Sequence, residues 1–485
     1  MGIVFKQALN NTIITYLGFG IATVNILFLY TNLLTDEYYG LVGVIFSASA
    51  ILMPLMSFGV HNSLVKYYCS FKESKNIDGF LNLMLLLPLL ILLPLFAFSY
   101  FSNALIGDFL SAKNAIVKDY VWYIFLIGFS LAYFEIFYAW AKVHLKSVFG
   151  NFMKEIFVRA GTMVMLLLLY FDTITVDFFL KALVGLNLLR VFVMKLYAFS
   201  LRMPKLNFQF PKNTREIINY SALIILGGSA ATVLLEIDKV MINQYIAIEN
   251  VAYYGVATYI ATVIIVPSRS MHQITYPLTA ELINKRDVFG LKTLYQKSSL
   301  TLFIASGILF LLIVLNVNEL YLLLPEAYRG GFTVVFIVGL VKVYDSLLGN
   351  NNSILYNSDY YRSLLYMGAL LAISAILLNL WLIPTYGIEG AAIASFLAFF
   401  FYNTIKLIYV KVKFGMLPFT SNTLKVFLLL LSIGILFYFV NFSFHPIVNI
   451  ILKSSLMLIG YMVVIYRFKI SDDVNGVINS ILNRK

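Results

Sequence analysis

Apolar residues run through this chain in stretches of about 20, too long for strands and too uniform for helices with a water-facing side. The first stretch covers 11–34. Others follow at about 40–65, 79–103, 117–141, 152–171, 174–200, 216–245, 250–276, 294–316, 331–356, 363–383, 387–411, 423–441 and 444–466. The polar segments between them are short, so no soluble domain interrupts the series. An α-helix needs about 20 apolar residues to cross the hydrocarbon core, and it satisfies its own backbone there. The pattern predicts an all-α integral membrane protein with about 14 transmembrane helices.

Composition agrees, at 61% hydrophobic and 12% charged, where soluble chains carry about 25% charged residues. The first run is too long for a signal-peptide core and reads as a retained helix. With the N-terminus counted as inside, twenty-one Lys and Arg fall in inside loops, and only Lys113, Lys118, Lys181 and Arg329 fall outside. Cytoplasmic loops carry such an excess, so both termini are expected in the cytoplasm. The same excess accounts for the net charge of +12 without nucleic acid. The single cysteine, Cys69, excludes an intramolecular disulfide.

The halves resemble each other. "YYG" at 38–40 recurs at 253–255, an offset of 215, and Pro54 and Pro267 follow at offset 213. "FLIGFSLAY" from Phe125 aligns with "FIVGLVKVY" from Phe336, and Lys195 aligns with Lys406, both at offset 211. That offset spans six helices, an even number, so the repeats keep one orientation. The expected architecture is two six-helix lobes related by a pseudo-two-fold along the membrane normal. They are an N-lobe at 1–205 and a C-lobe at 206–415, with helices 13 and 14 and a cytoplasmic tail at 416–485. Such lobes predict a polar, partly cationic central cavity and transport by alternating access.

Three segments carry a family resemblance. "DEYYGLVGVIFSASAILMPLMSFGVHNSLVKYY" from Asp36, "EIDKVMINQYIAIENVAYYGVATYI" from Glu236 and "LLNLWLIPTYGIEGAAIASF" from Leu377 resemble the polysaccharide-exporter branch of the MOP superfamily. The third is the most specific, and the resemblance covers nearly the whole chain. It implies a Wzx-type flippase in the bacterial inner membrane. Such a protein would move undecaprenyl-diphosphate-linked oligosaccharide to the periplasmic leaflet for O-antigen or capsule synthesis, driven by an ion gradient. The implied partners are that lipid-linked oligosaccharide, membrane lipids, a polysaccharide polymerase and a chain-length regulator, around a monomer. The family has no nucleophile or metal motif, so no catalytic residue, cofactor or metal is expected, and the protein is not expected to be an enzyme. The rival readings are a drug/ion antiporter of the same superfamily and a membrane-embedded polymerase. Short outside loops count against the polymerase.

Charged residues within the apolar runs are the candidate site, because an ionisable group at membrane depth costs about 2.5–3.5 kcal/mol or more. Ser229, Thr232, Glu236, Lys239 and Asn243 are spaced three and four apart and share one helix face. Glu236 and Lys239 can pair, and Asp238 points elsewhere on the wheel. Glu236 and Asp238 are read as gate or ion-coupling carboxylates, with Lys239 toward the cavity. Lys342 lies about 16 Å into its helix, near the midplane, with Asp345 one turn on and "GNNNS" beyond. Both are expected to line the cavity. Arg159, Arg190 and Arg269, in the inner half, are candidate receivers of a diphosphate, and Glu155 offers Arg159 a partner at i−4. Glu135, inside "AYFEIFYAW", is a candidate proton carrier. His61 and His272 lie near helix ends and read as structural, and four scattered histidines give no metal spacing.

Overall fold

Glycine, proline and buried charge, rather than long polar loops, punctuate the helices. The computed structural model describes residues 3–74, 76–101 and 103–482, all helices, turns and short connections. The last three residues of the expected tail, 483–485, lie outside the described residues, as do the side chains of 226–231, Ser229 among them. Helix occupies every one of the predicted runs among the described residues. Nine helical stretches there are long and apolar enough to cross a membrane, and one of them, Tyr361–Phe414, holds two predicted runs. The runs at 152–171, 174–200 and 216–245 form helices that carry charges, and the run at 331–356 is broken at Gly349.

The chain packs as two compact units, Met1–Ala252 and Tyr253–Lys485. The first contains α1 (Ile3–Val24), α2 (Asp36–Met56), α3 (Val60–Phe71), α4 (Ile77–Leu86), α5 (Val121–Val143), α6 (Val158–Tyr170), α7 (Val176–Leu201) and α8 (Thr214–Tyr245). Here α5 is central, with α2, α3 and α7 packed on it, and α8 packs on α2. Its core is aromatic, built on Trp140, Phe134, Phe137 and Phe80. Between helices in lipid, close packing of this kind replaces the hydrophobic effect as the cohesive force. Thr35 caps α2 by accepting from the Tyr38 N–H, and Asp36 and Glu37 in the first turn suit the positive helix end.

The second unit contains α9 (Val266–Asn284), α10 (Val288–Val314), α11 (Phe332–Leu347), α12 (Asn351–Tyr356), α13 (Tyr361–Phe414), α14 (Ser421–Tyr438) and α15 (Pro446–Arg467). Helix α10 packs against α9, α11, α14 and α15, while α13 packs against α11 and α12. Two glycines set the breaks. Gly387 (φ 58°, ψ −135°) divides α13 into its two predicted runs. Gly349 (φ 56°) separates α11 from α12, and a Cβ there would stand 2.7 Å from the Ser299 nitrogen. Only glycine fits both that conformation and that contact.

Candidate functional site

In the first unit a carboxylate gathers the cations. Lys154 Nζ donates to Glu135 Oε1 at 2.5 Å. Lys142 and His61 also lie within electrostatic reach of Glu135, and so does Arg190 from α7. Of the aromatic residues flanking Glu135 in sequence, Tyr138 lies within electrostatic reach of its carboxylate, while the direct contact is Lys154. Lys142 also stands 3.9 Å over the Tyr138 ring. His61 Nε2 meets the Asn62 amide at 3.0 Å, and its Nδ1 has no partner among the described residues.

Arg190 is the exceptional member. It is 5% exposed and lies 4.4 Å over the face of Phe134, a cation–π contact. Its Nε and Nη2 have no hydrogen-bond partner among the described residues. A buried donor left open costs about 1–3 kcal/mol, more when charged, unless something supplies acceptors. Arg190, Lys142 and Lys154 face one carboxylate, which leaves an excess of two positive charges with His61 neutral. Arg159 does not join them. Its Nη1 donates to Glu155 Oε2 at 2.8 Å, a locally neutral pair one turn apart.

The α8 charges form a separate group. Glu236 Oε2 accepts from Lys239 at 3.0 Å and from Ser47 of α2 at 2.7 Å, so the pair also joins two helices. Asp238 is buried. Farther along, Asn243 donates to the Leu110 carbonyl at 2.8 Å, and Asn114 donates to the Asn243 carbonyl at 2.7 Å.

In the second unit, Lys342 stands 5.3 Å from the Phe399 ring centre. Arg269 is exposed on α9, one turn before His272. Asp345, near the end of α11, is within electrostatic reach of His272 on α9 and Lys406 on α13. Lys406 is 1% exposed. Its ammonium donates to Asn352 Oδ1 at 2.8 Å and lies 4.3 Å over Tyr402. Hydroxyls and amides surround the break: Ser268 meets Ser346 at 3.0 Å, Asn350 donates to Thr279 at 2.8 Å, and Asn351 donates to Tyr295 at 2.7 Å. The Asn403 side chain is fully buried, with neither amide atom partnered among the described residues.

Sequence reasoning singled out Arg190, Glu135, Lys342 and Asp345 but not Lys154, Lys406, His61 or His272 as site members. Lys154 was counted only as an inside-loop charge, and Lys406 only as a repeat match. A lysine deep in the apolar α13 run was signal enough to flag it.

A family model described as "Polysaccharide biosynthesis protein" matches residues 4–283, more than half the chain. The chain belongs to that family. This polysaccharide-biosynthesis family member has the fold of the MOP superfamily. A lipid II flippase, MurJ, in an inward closed conformation superposes with a TM-score of 0.71 at 14% identity, covering 95% of this chain and 99% of its own. An inward-facing multidrug-resistance MATE transporter gives 0.62 at 13% identity, covering 83% and 94%. A MOP superfamily transporter from Pyrococcus furiosus, described as having a binding pocket of reverse polarity, gives 0.59 at 12%, covering 86% and 97%. At such identities the likeness is one of fold, and each of these neighbours is described as a flippase or transporter rather than an enzyme. No curated protein matches the sequence.

Proposed function

We propose that this protein is a flippase for undecaprenyl-diphosphate-linked oligosaccharide. It moves the headgroup from the cytoplasmic to the periplasmic leaflet of a bacterial inner membrane, for O-antigen or capsule synthesis. The observation that carries the reading is Arg190, buried with open N–H groups among cations that outnumber their carboxylate by two. A diphosphate diester carries one negative charge on each phosphoryl group, so its charge matches that excess. The guanidinium fork suits phosphoryl oxygens, and charge-assisted hydrogen bonds are the strong ones. The family membership and the flippase-like fold support the same reading.

Arg190, Lys154 and Lys142 hold the diphosphate, while Glu135 keeps the empty site from carrying three unopposed charges. Binding needs no resident cofactor or metal. Lys342, Asp345 and Arg269 line the path in the second unit, and Arg159 braces the inner end through Glu155. Glu236, Asp238 and Lys239 form an outer gate whose hydrogen bond to Ser47 breaks on opening. The excess of basic residues in alternate loops supports a reading with both termini in the cytoplasm. A polymerase and a chain-length regulator receive the product, and the flippase works as a monomer.

Proteoliposomes loaded with a fluorescent polyprenyl-diphosphate oligosaccharide test this directly, with a membrane-impermeant quencher reporting leaflet exchange. The wild type exchanges the lipid, and Arg190→Ala slows it at least tenfold at equal protein. Vesicles that accumulate a cationic dye but leave the lipid-linked glycan in place would reject the flippase in favour of the drug antiporter.

A further inference from the structure

Each unit brings together a half-buried histidine, a half-buried carboxylate and a buried cation. In the first, His61, Glu135 and Arg190 come from the second, fourth and sixth predicted runs. In the second, His272, Asp345 and Lys406 come from the eighth, tenth and twelfth. The histidines are 211 residues apart, the acids 210 and the cations 216. The histidine and acid offsets agree with the repeat motifs, whereas at offset 211 Lys406 corresponds to Lys195, so the cations reach the acid from different positions in the two units. In each unit the histidine and the cation both face the acid.

The copies differ in their surroundings. The first adds Lys142 and Lys154 around the acid. In the second, Lys406 can balance Asp345, yet its ammonium donates to the neutral Asn352 amide instead. Other titratable groups on this side, among the described residues, include Lys342 and Tyr344 of α11, Tyr402 of α13, Tyr356 of α12, Tyr295 of α10 and Tyr276 of α9. Tyr344 is tied to Thr404 at 2.9 Å and Tyr295 to Asn351 at 2.7 Å. The site sits where the helix breaks at Gly349, and discontinuous helices of this kind recur at coupling-ion sites of transporters. The Asn403 amide, one turn before Lys406 on α13, is fully buried with neither atom partnered among the described residues.

We propose that His272, Asp345 and Lys406 form a proton-exchange site in the second unit, distinct from the anion site in the first. A proton from hydronium in the bulk water, relayed by the His272 imidazole, forms an O–H bond on Asp345. That bond breaks when Lys406 turns from Asn352 toward the carboxylate, and the proton returns through His272 to a water molecule as hydronium. With Asp345 ionised and His272 neutral, the trio carries no net charge. With Asp345 protonated, Lys406 is a buried cation without a counter-charge. A buried unpaired charge is expensive, so proton binding favours whichever conformation opens this site to water. An imidazole, a carboxylate and a cation therefore hold an anion in one unit and exchange a proton in the other.

Infrared titration of the full-length protein in lipid nanodiscs, with no glycolipid present and aspartate carboxyls carbon-13 labelled, tests this independently of the substrate reading. A labelled carboxyl band grows as pH falls. It should be lost in Asp345→Asn, kept in Glu135→Gln, and displaced along the pH axis in Lys406→Met. A band that survives intact in Asp345→Asn, or one that Lys406→Met leaves in place, overturns the proposal. Unlabelled protein with Glu135→Gln adds the opposite check: a single buried-carboxyl titration that vanishes there puts the exchanged proton in the first unit and equally overturns it.

Discussion

The first unit surrounds its half-buried acid with Arg190, Lys142 and Lys154, whereas in the second the cation that faces the acid, Lys406, donates to a neutral amide. The residues come from corresponding predicted runs in the two halves, but the run that carries Asp345 breaks at Gly349 while α5, which carries Glu135, is continuous, so the difference lies both in a few side chains and in this local break. It teaches that a buried charge in a membrane protein is read by the balance around it. An excess of cations with open donors asks for an anion. An acid near a cation that is bonded elsewhere asks for a proton.

The largest blow to that contrast is charge reversal at Arg190. Arg190→Glu sets a second carboxylate beside Glu135 and should abolish binding of a diphosphate diester. Each charge-assisted hydrogen bond is worth about 1.5–3 kcal/mol, and every 1.4 kcal/mol is about tenfold in affinity, so a loss of about 100-fold or more is expected by calorimetry. Lys154→Met comes next. It removes one cation and frees Glu135, with an expected loss of about tenfold on the same reasoning. Lys406→Met should leave diphosphate binding within about twofold while flattening the pH dependence of transport in proteoliposomes. The smallest effect belongs to Arg159→Gln. The pair with Glu155 is partly exposed, and exposed pairs contribute about 0–1 kcal/mol, so binding should change less than about fivefold. A large loss at Arg159 would instead make it a direct ligand.

Much of the fold could be read from the chain. The apolar runs anticipate the helices because a bilayer demands length and apolarity from each span separately. Gly349 shows the limit: it lies inside a run that reads as one helix, and its break appears only where the Ser299 backbone crowds against it. The compact units divide after Ala252 because α8 packs on α2, a long-range contact with no sequence period. Arg190 and Glu135 stood out because each is a charge set deep inside an apolar run. Their meeting with Lys154 and His61 depends on packing between four segments. The histidines were the readable signal left unused, since their offset of 211 equals that of the flanking repeat motifs.

The most direct test of the central contrast is titration of purified protein in nanodiscs with a short-chain prenyl-diphosphate sugar, a diphosphate diester, beside its neutral prenyl glycoside. The account predicts that the wild type and Lys406→Met bind the diester alike, that Arg190→Ala binds it at least tenfold more weakly, and that none distinguishes itself with the neutral glycoside. Equal diester affinity in Arg190→Ala and wild type, or a loss confined to Lys406→Met, would contradict it.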